Sequence, residues 1–158
     1  MRARRLLLAA ALAAALGGRA ASAQVQLTVG GGPVNFSAPT VTDYTNGFVL
    51  DATPLTYTVN IQTDLNTQRT SIIEISSTSA NLGGGKALSD LQWRRSDLGT
   101  WNALTTSPAT VESRPIRNGT LNDPWSNSVV FRLLLSWTAD GPATHTANIT
   151  VTLTVTTP

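Results

Sequence analysis

Few side chains in this sequence could carry out nucleophilic, acid–base or metal chemistry. The 158 residues contain one histidine, His145, one lysine, Lys86, and no cysteine. A serine-type triad would have to recruit His145 as its base, yet no serine occupies a Gly-x-Ser-x-Gly nucleophile turn. A metal site with one histidine would need at least two carboxylates beside it, which the spacing does not supply. We therefore expect a non-enzyme without a cofactor or a metal.

A glycine-rich segment, Gly83-Gly84-Gly85-Lys86, has a superficial likeness to a phosphate-binding loop. Such loops require two glycines four residues apart, then Lys and Ser or Thr, and a helix whose N-terminus points at the phosphate. Here the spacing is absent and Ala87 stands where the hydroxyl should be. The segment is therefore predicted to be a hairpin connection.

Carboxylates alone suffice for glycoside hydrolysis, so the acidic residues need separate inspection. Most of them stand beside turn residues or on the polar face of a strand, and the sequence singles out no pair. A carboxylate-dependent hydrolase is the least favoured alternative. Calcium ligation by Asp64-Leu65-Asn66 or Asn122-Asp123 lacks the spacing of a calcium loop. The nine acidic residues are Asp43, Asp51, Asp64, Glu74, Asp90, Asp97, Glu112, Asp123 and Asp140.

The four tryptophans are the best candidates for ligand contact. Trp93 and Trp137 lie on apolar strand faces and are predicted to be core residues, whereas Trp101 and Trp125 lie at or beside loops. An exposed indole can stack on a sugar ring while guanidinium and amide groups donate hydrogen bonds. The candidate ligand-binding residues are therefore Trp101, Arg114, Arg117 and Trp125. The competing interpretation is that Trp125 caps the core beneath a long loop.

The N-terminal 23 residues have the pattern of a secretory signal peptide. Arg2, Arg4 and Arg5 precede an unbroken Leu/Ala run, and Ala21-Ser22-Ala23 provides the small residues required for cleavage. The apolar run is short for a membrane span, and no later segment approaches that length. We predict export to the periplasm, cell surface or medium, with no transmembrane segment after cleavage. The general and twin-arginine routes both remain open.

Cleavage after Ala23 also changes the net charge. Residues 1–23 hold four of the 11 basic residues and none of the nine acidic ones, so residues 24–158 carry seven against nine, a formal charge of −2. The basic pI of the whole chain is thus no indication of nucleic-acid binding.

Without cysteines, no disulfide can stabilise the fold. The remaining 135 residues are enough for one domain with its own core.

Period-two alternation dominates these residues, and no window has convincing helical periodicity. Ser and Thr make up 36 of the 135 residues, a composition that suits exposed strand faces. A further extended piece is expected at Val34 and Phe36. The predicted strands are residues 25–29, 55–61, 70–76, 88–95, 101–104, 110–114, 128–137 and 146–156.

The last two strands give the strongest pattern. Residues 128–137 are partly apolar on both faces and should form a central strand, followed by a turn at residues 139–142. We expect 128–137 and 146–156 to be neighbours in one sheet. Seven or eight strands predict a two-sheet antiparallel sandwich with an immunoglobulin-like or related Greek-key topology, residues 24–158 forming a single domain. A barrel is the alternative.

The whole region 24–158 resembles bacterial immunoglobulin-like surface and fibre domains. The features that carry this resemblance are the signal peptide, the short Thr-rich strands and the terminal Thr-Val-Thr-Leu-Thr-Val segment at residues 150–155. Trp93 is similar to the buried tryptophan of immunoglobulin domains, although the flanking cysteines are absent. The resemblance implies a β-sandwich and transfers no functional residue.

Two functions follow as hypotheses. The first is a secreted or cell-envelope structural or adhesive protein, in which strand 25–29 pairs within its own sheet or inserts into a neighbouring copy. The second is a carbohydrate-binding module that contacts an envelope glycan through the loop tryptophans.

Overall fold

The computed structural model describes residues 25–31, 33–62, 66–119, 121–140 and 145–156, so the predicted signal peptide lies outside the described residues. Within these ranges the chain forms nine strands, one short α-helix and one 3-10 helical turn at Leu88–Asp90. In chain order the strands and the α-helix are β1 Val25–Gly30, α1 Val41–Asn46, β2 Phe48–Leu50, β3 Leu55–Ile61, β4 Arg69–Ser77, β5 Leu91–Arg95, β6 Asn102–Ala103, β7 Ala109–Ile116, β8 Trp125–Leu134 and β9 Ile149–Thr156.

The strands form two packed antiparallel sheets, which confirms the predicted sandwich. Sheet A has the order β1-β3-β8-β5-β6, with β2 also paired to β8, and sheet B has the order β7-β4-β9. The strand β8 is central, as expected, because β3, β5 and β2 all pair with it. One prediction was wrong: β9 is not a neighbour of β8 but pairs with β4 in the other sheet. The connection between them is long enough to cross from one sheet to the other.

Alternating side chains from both sheets fill the space between them. Tyr57 and Val59 of β3 and Ile73 and Ile75 of β4 are buried, as the period-two pattern predicted. Leu91 and Trp93 of β5 are buried on one face, also as predicted. Both sheets therefore contribute to a single core. Its other members are Val25, Val49, Leu55, Leu82, Leu88, Leu104, Val111, Ile116, Trp125, Val129, Phe131 and Leu133.

Helix α1 is absent from the sequence prediction. It begins at a capping box in which the Thr40 hydroxyl accepts from the Asp43 amide and the Asp43 carboxylate accepts from the Thr40 amide, and it ends at Gly47, which has a φ of 79°. Six residues are too few for helical periodicity to be detected.

The expected strand at Val34 and Phe36 is instead irregular, although both side chains pack on the core. No helix in the described ranges is long and apolar enough to cross a membrane.

Trp137 differs from the prediction that it is a core residue. Strand β8 ends at Leu134, so the alternation that would have turned Trp137 inward stops before it. The side chain is 61% exposed and packs on Tyr44 with ring centroids 4.7 Å apart. The final strand is also shorter than predicted, because pairing with β4 starts only at Ile149.

Candidate functional site

A carboxylate, Glu112 of β7, is buried between the sheets. Its Oε2 accepts from the Tyr57 hydroxyl at 2.6 Å and from Asn127 Nδ2 at 3.1 Å. Its Oε1 accepts from Arg114 Nε at 2.7 Å and lies 3.2 Å from Arg95 Nη1. Because both oxygens are already bound by donors from both sheets, this group of residues cross-links the sandwich. We call Tyr57, Arg95, Glu112, Arg114 and Asn127 the Glu112 cluster.

A break in the strand register brings Glu112 inside. Residue Ile73 of β4 pairs with Glu112, but the next residue, Glu74, pairs with Thr110, so Val111 is an extra residue in β7. A regular strand would direct Val111 and Glu112 to opposite faces, whereas at this bulge both are buried. Sequence alternation alone cannot locate such a bulge, which is why Glu112 was not predicted to be a core residue.

Burial and hydrogen bonds in the Glu112 cluster shift the pKa values of Tyr57, which belongs to it, and of the neighbouring Asp97. Burial raises the pKa of Tyr57 well above its usual value, and the hydrogen bond to Glu112 raises it further. The side chain of Arg95 also binds Asp97, and this hydrogen bond lowers the pKa of Asp97 to about 2. The Tyr57 hydroxyl therefore stays protonated and donates its hydrogen bond to Glu112.

The four predicted ligand-binding residues do not form one surface. Trp125 is only 5% exposed, packs edge-on against Tyr57 and is covered by the guanidinium of Arg114. Trp125 lies on the interior face of sheet A, in agreement with the interpretation that it caps the core, and Arg114 reaches it from β7 of sheet B. Arg117 is exposed at the connection between β7 and β8, where its backbone pairs with Leu121. Trp101 lies elsewhere.

Trp101 packs on the outer face of sheet A against two arginines. The guanidinium carbons of Arg94 and Arg132 lie 4.9 and 4.5 Å from the centroid of its ring. Arg132 also packs over the ring of Phe48 and donates from Nε to Gln92 Oε1 at 2.8 Å. Strand alternation could have indicated that Arg94 and Arg132 share the outer face, since each directly follows a residue that is buried on the inner face, Trp93 or Phe131. We call Phe48, Gln92, Arg94, Trp101 and Arg132 the outer-face cluster.

The glycine-rich segment forms a hairpin turn, as predicted, with a backbone bridge between Asn81 and Ala87. Its lysine, Lys86, is buried, and Nζ donates to both oxygens of Asp140 at 2.7 and 2.8 Å. Burial acts to raise the pKa of Asp140, but the hydrogen bonds from Lys86 and the Ser136 amide outweigh it, so the pKa is lower than usual. The Lys86 ammonium is therefore occupied within the fold.

A cavity of about 580 Å³ lies where the segment 33–39 crosses the end of the sandwich. Apolar side chains of β2, β5, β8 and β9 line it, together with Asp140 and His145. Asp140 is already paired with Lys86, and Nδ1 of His145 lies 3.1 Å from the carbonyl oxygen of Gly83. Residues 141–144, which join these two polar residues, lie outside the described part of the chain.

The two long sides of the sandwich differ in how their edge strands are protected. On one side, β6 has only two residues, and β7 carries Pro115 and the bulge at Val111, all features that hinder pairing with another strand. On the other side, β1 and β9 lie against each other, and neither contains a charge or a proline. We call this second side the β1/β9 side.

No group of three or more His, Cys, Asp or Glu side chains that could hold a metal ion occurs among the described residues. The proposed calcium ligands at residues 64–66 fall partly outside them, and Asp123 instead accepts from the Ile61 amide.

Comparison with protein-family models, curated proteins and solved structures finds no match. The candidate sites are therefore judged on their own geometry.

Proposed function

We propose that the protein is an exported, non-catalytic structural or adhesive subunit that pairs with a second copy of itself along the β1/β9 side. The observation that carries this proposal is the edge strand β9. Its eight residues pair only with β4 within the described part of the chain, and its sequence, ITVTLTVT, contains no proline, glycine or charge. Natural edge strands usually carry such features because an unprotected edge pairs with other strands.

The side chains of β9 are arranged to support such pairing. Val151, Leu153 and Val155 pack against the core yet stay half-exposed, while Thr152 and Thr154 face solvent. In an antiparallel β9–β9 pair that keeps the faces matched, Thr meets Thr and aliphatic side chains meet each other. The three-stranded sheets of two copies would then join into one sheet of six strands. The second candidate occupant of this side, β1 of a neighbouring copy, is less favoured because β1 is shorter, with six residues, and ends at Gly30.

The test is the oligomeric state of the purified protein, measured by size-exclusion chromatography with light scattering. We expect a dimer that the double substitution Thr152→Lys/Thr154→Lys converts into a monomer, since like charges would face each other across the paired strands. The matched control, Thr110→Lys/Ser113→Lys, adds the same charge to the opposite edge of sheet B and should leave the dimer intact. Circular dichroism establishes that each variant is folded.

A charge-swap experiment tests the β9–β9 arrangement directly. The Thr152→Glu/Thr154→Glu variant should also be monomeric, and mixing it with the lysine variant should restore a dimer. A wild-type protein that is monomeric at all concentrations would overturn the proposal. A dimer that the lysine pair leaves unchanged would overturn it as well.

Intact-mass spectrometry of protein recovered after export tests the proposed signal-peptide cleavage, since cleavage after Ala23 leaves Gln24 at the N-terminus.

A further inference from the structure

The outer-face cluster holds two positive charges without an acidic partner. Within the described ranges, Lys86, Arg95 and Arg114 form ion pairs with carboxylates, whereas Arg94 and Arg132 form none. Arg94 donates from Nη1 to the carbonyl of Leu98, and Arg132 donates from Nε to Gln92. Each guanidinium has five N–H donors, so several donors of each arginine remain for an external acceptor.

Packing brings these two charges together. Both guanidinium groups contact the same Trp101 ring, and a strand pairing that sets Gln92 opposite Arg132 and Arg94 opposite Val130 places the two arginines on neighbouring strands. Burial and the nearby charge of Arg94 lower the pKa of Arg132. Two adjacent like charges repel each other, so an anion bound between them would relieve the repulsion.

The groups around the arginines favour a carbohydrate as the carrier of the anion. The side-chain amide nitrogen of Gln92, which lies on this face opposite Arg132, can donate to sugar hydroxyls. Exposed Leu50 and Leu98 provide apolar surface near the two arginines for the C–H faces of sugar rings. The negative formal charge of residues 24–158 opposes broad attraction to a polyanion such as a nucleic acid, so recognition must be local.

We propose that the outer-face cluster binds an acidic polysaccharide, with Arg94 and Arg132 contacting the carboxylate of a uronic acid unit and Trp101 holding both guanidinium groups in place. Bidentate hydrogen bonds between guanidinium and carboxylate supply the specificity for an acidic sugar. The cluster lies on the face of sheet A, away from the β1/β9 side. Binding therefore does not depend on self-association.

Isothermal titration calorimetry of the purified protein with polygalacturonate tests this proposal. Methyl-esterified polygalacturonate is the matched ligand control, because it keeps the sugar and removes the charge. We expect binding of the acid form only. Arg94→Gln, Arg132→Gln and Trp101→Ala should each weaken it by about tenfold or more, since each removes or displaces a charged hydrogen-bond donor to the carboxylate.

Arg117→Gln is the matched protein control, since it removes one positive charge outside the cluster and should change the affinity less than about twofold. Circular dichroism of each variant separates lost binding from lost folding. Absence of binding, equal binding of the esterified polymer, or equal losses in the Arg117→Gln and Arg132→Gln variants would each overturn the proposal. So would Arg132-dependent binding of single-stranded DNA or anionic vesicles in place of polygalacturonate. Either of those results would assign the cluster to another class of polyanion.

Discussion

The hydroxyl of Tyr57 donates a 2.6 Å hydrogen bond to Glu112 across the interface between the two sheets. Tyr57 belongs to β3 of sheet A and is 1% exposed, while Glu112 belongs to β7 of sheet B and is 5% exposed. A buried carboxylate is costly unless hydrogen bonds and opposite charges compensate it. This contact therefore couples the packing of the sheets to the stability of a buried charge.

Removing the phenol oxygen is expected to destabilise the fold. In Tyr57→Phe the packing volume is kept, but Glu112 loses a donor, and we expect a decrease of about 1.5–3 kcal/mol in the free energy of unfolding. Urea unfolding measures it. Tyr44→Phe is the matched control, because Tyr44 lies at the surface against Trp137; its effect should be within about 0.5 kcal/mol. Equal effects of the two substitutions would contradict the role assigned to Tyr57.

The buried Lys86–Asp140 pair should respond to both mutation and acid. Asp140→Asn leaves a buried ammonium with only the 3.4 Å contact to Asp90, and we expect a loss of about 3 kcal/mol at neutral pH. Asp90→Asn, which removes the more exposed partner of the same lysine, should cost no more than about 1 kcal/mol.

The pH dependence follows from the lowered pKa of Asp140. Its folded-state pKa is below the usual value of 3.8, so its stabilising contribution is complete above pH 3.8 and is lost as the pH falls through the folded-state value. The stability difference between wild type and Asp140→Asn should therefore shrink below pH 3.8, which urea unfolding at several pH values would measure. A difference that stays constant across that range would exclude the ion pair as its cause.

Alternation in the sequence predicted the sandwich because each long strand has one face on the core. Leu55, Tyr57 and Val59 of β3 and Ile73 and Ile75 of β4 are buried where the pattern placed them. Sheet membership is not encoded in this pattern. The strand β9 alternates in the same way whether it pairs with β8 or with β4, and only the tertiary structure distinguishes them.

The candidate sites were harder to predict because they depend on contacts between distant residues. The sequence made Trp101 a candidate ligand-binding residue, but Arg94 and Arg132 reach it only through the pairing of β5 with β8. Arg114 and Trp125 were candidates for ligand contact, but Trp125 is buried and the partly exposed Arg114 packs over its ring. A one-residue bulge and a strand pairing decide which of these side chains face solvent.

A side chain at Gly31 should destabilise the fold more than one at Gly85. Its φ is 100°, and a Cβ at this position would lie 2.4 Å from the carbonyl oxygen of Pro54. Gly85 also has a positive φ, of 81°, but a Cβ there would meet nothing within 4 Å. We expect Gly85→Ala to cost about 1 kcal/mol from backbone strain alone and Gly31→Ala to cost about 1–3 kcal/mol more, because the overlap forces the backbone to move. Thermal unfolding of the two variants compares them, and equal melting temperatures would contradict the close approach of Gly31 to Pro54.

Tryptophan fluorescence should distinguish the exposed Trp137 from the buried Trp125. Trp137 is 61% exposed, contrary to the prediction that it is a core residue, and Trp125 is only 5% exposed, in agreement with the interpretation that it caps the core. Acrylamide quenches indoles that it can reach by collision, so Trp137→Phe should remove most of the readily quenched emission and shift the remaining maximum to shorter wavelength. Trp125→Phe should leave the quenched fraction nearly unchanged, since that ring packs against Tyr57 and Arg114. If Trp125→Phe instead removed the readily quenched emission, the ring would be open to solvent and would again be a candidate sugar-binding surface.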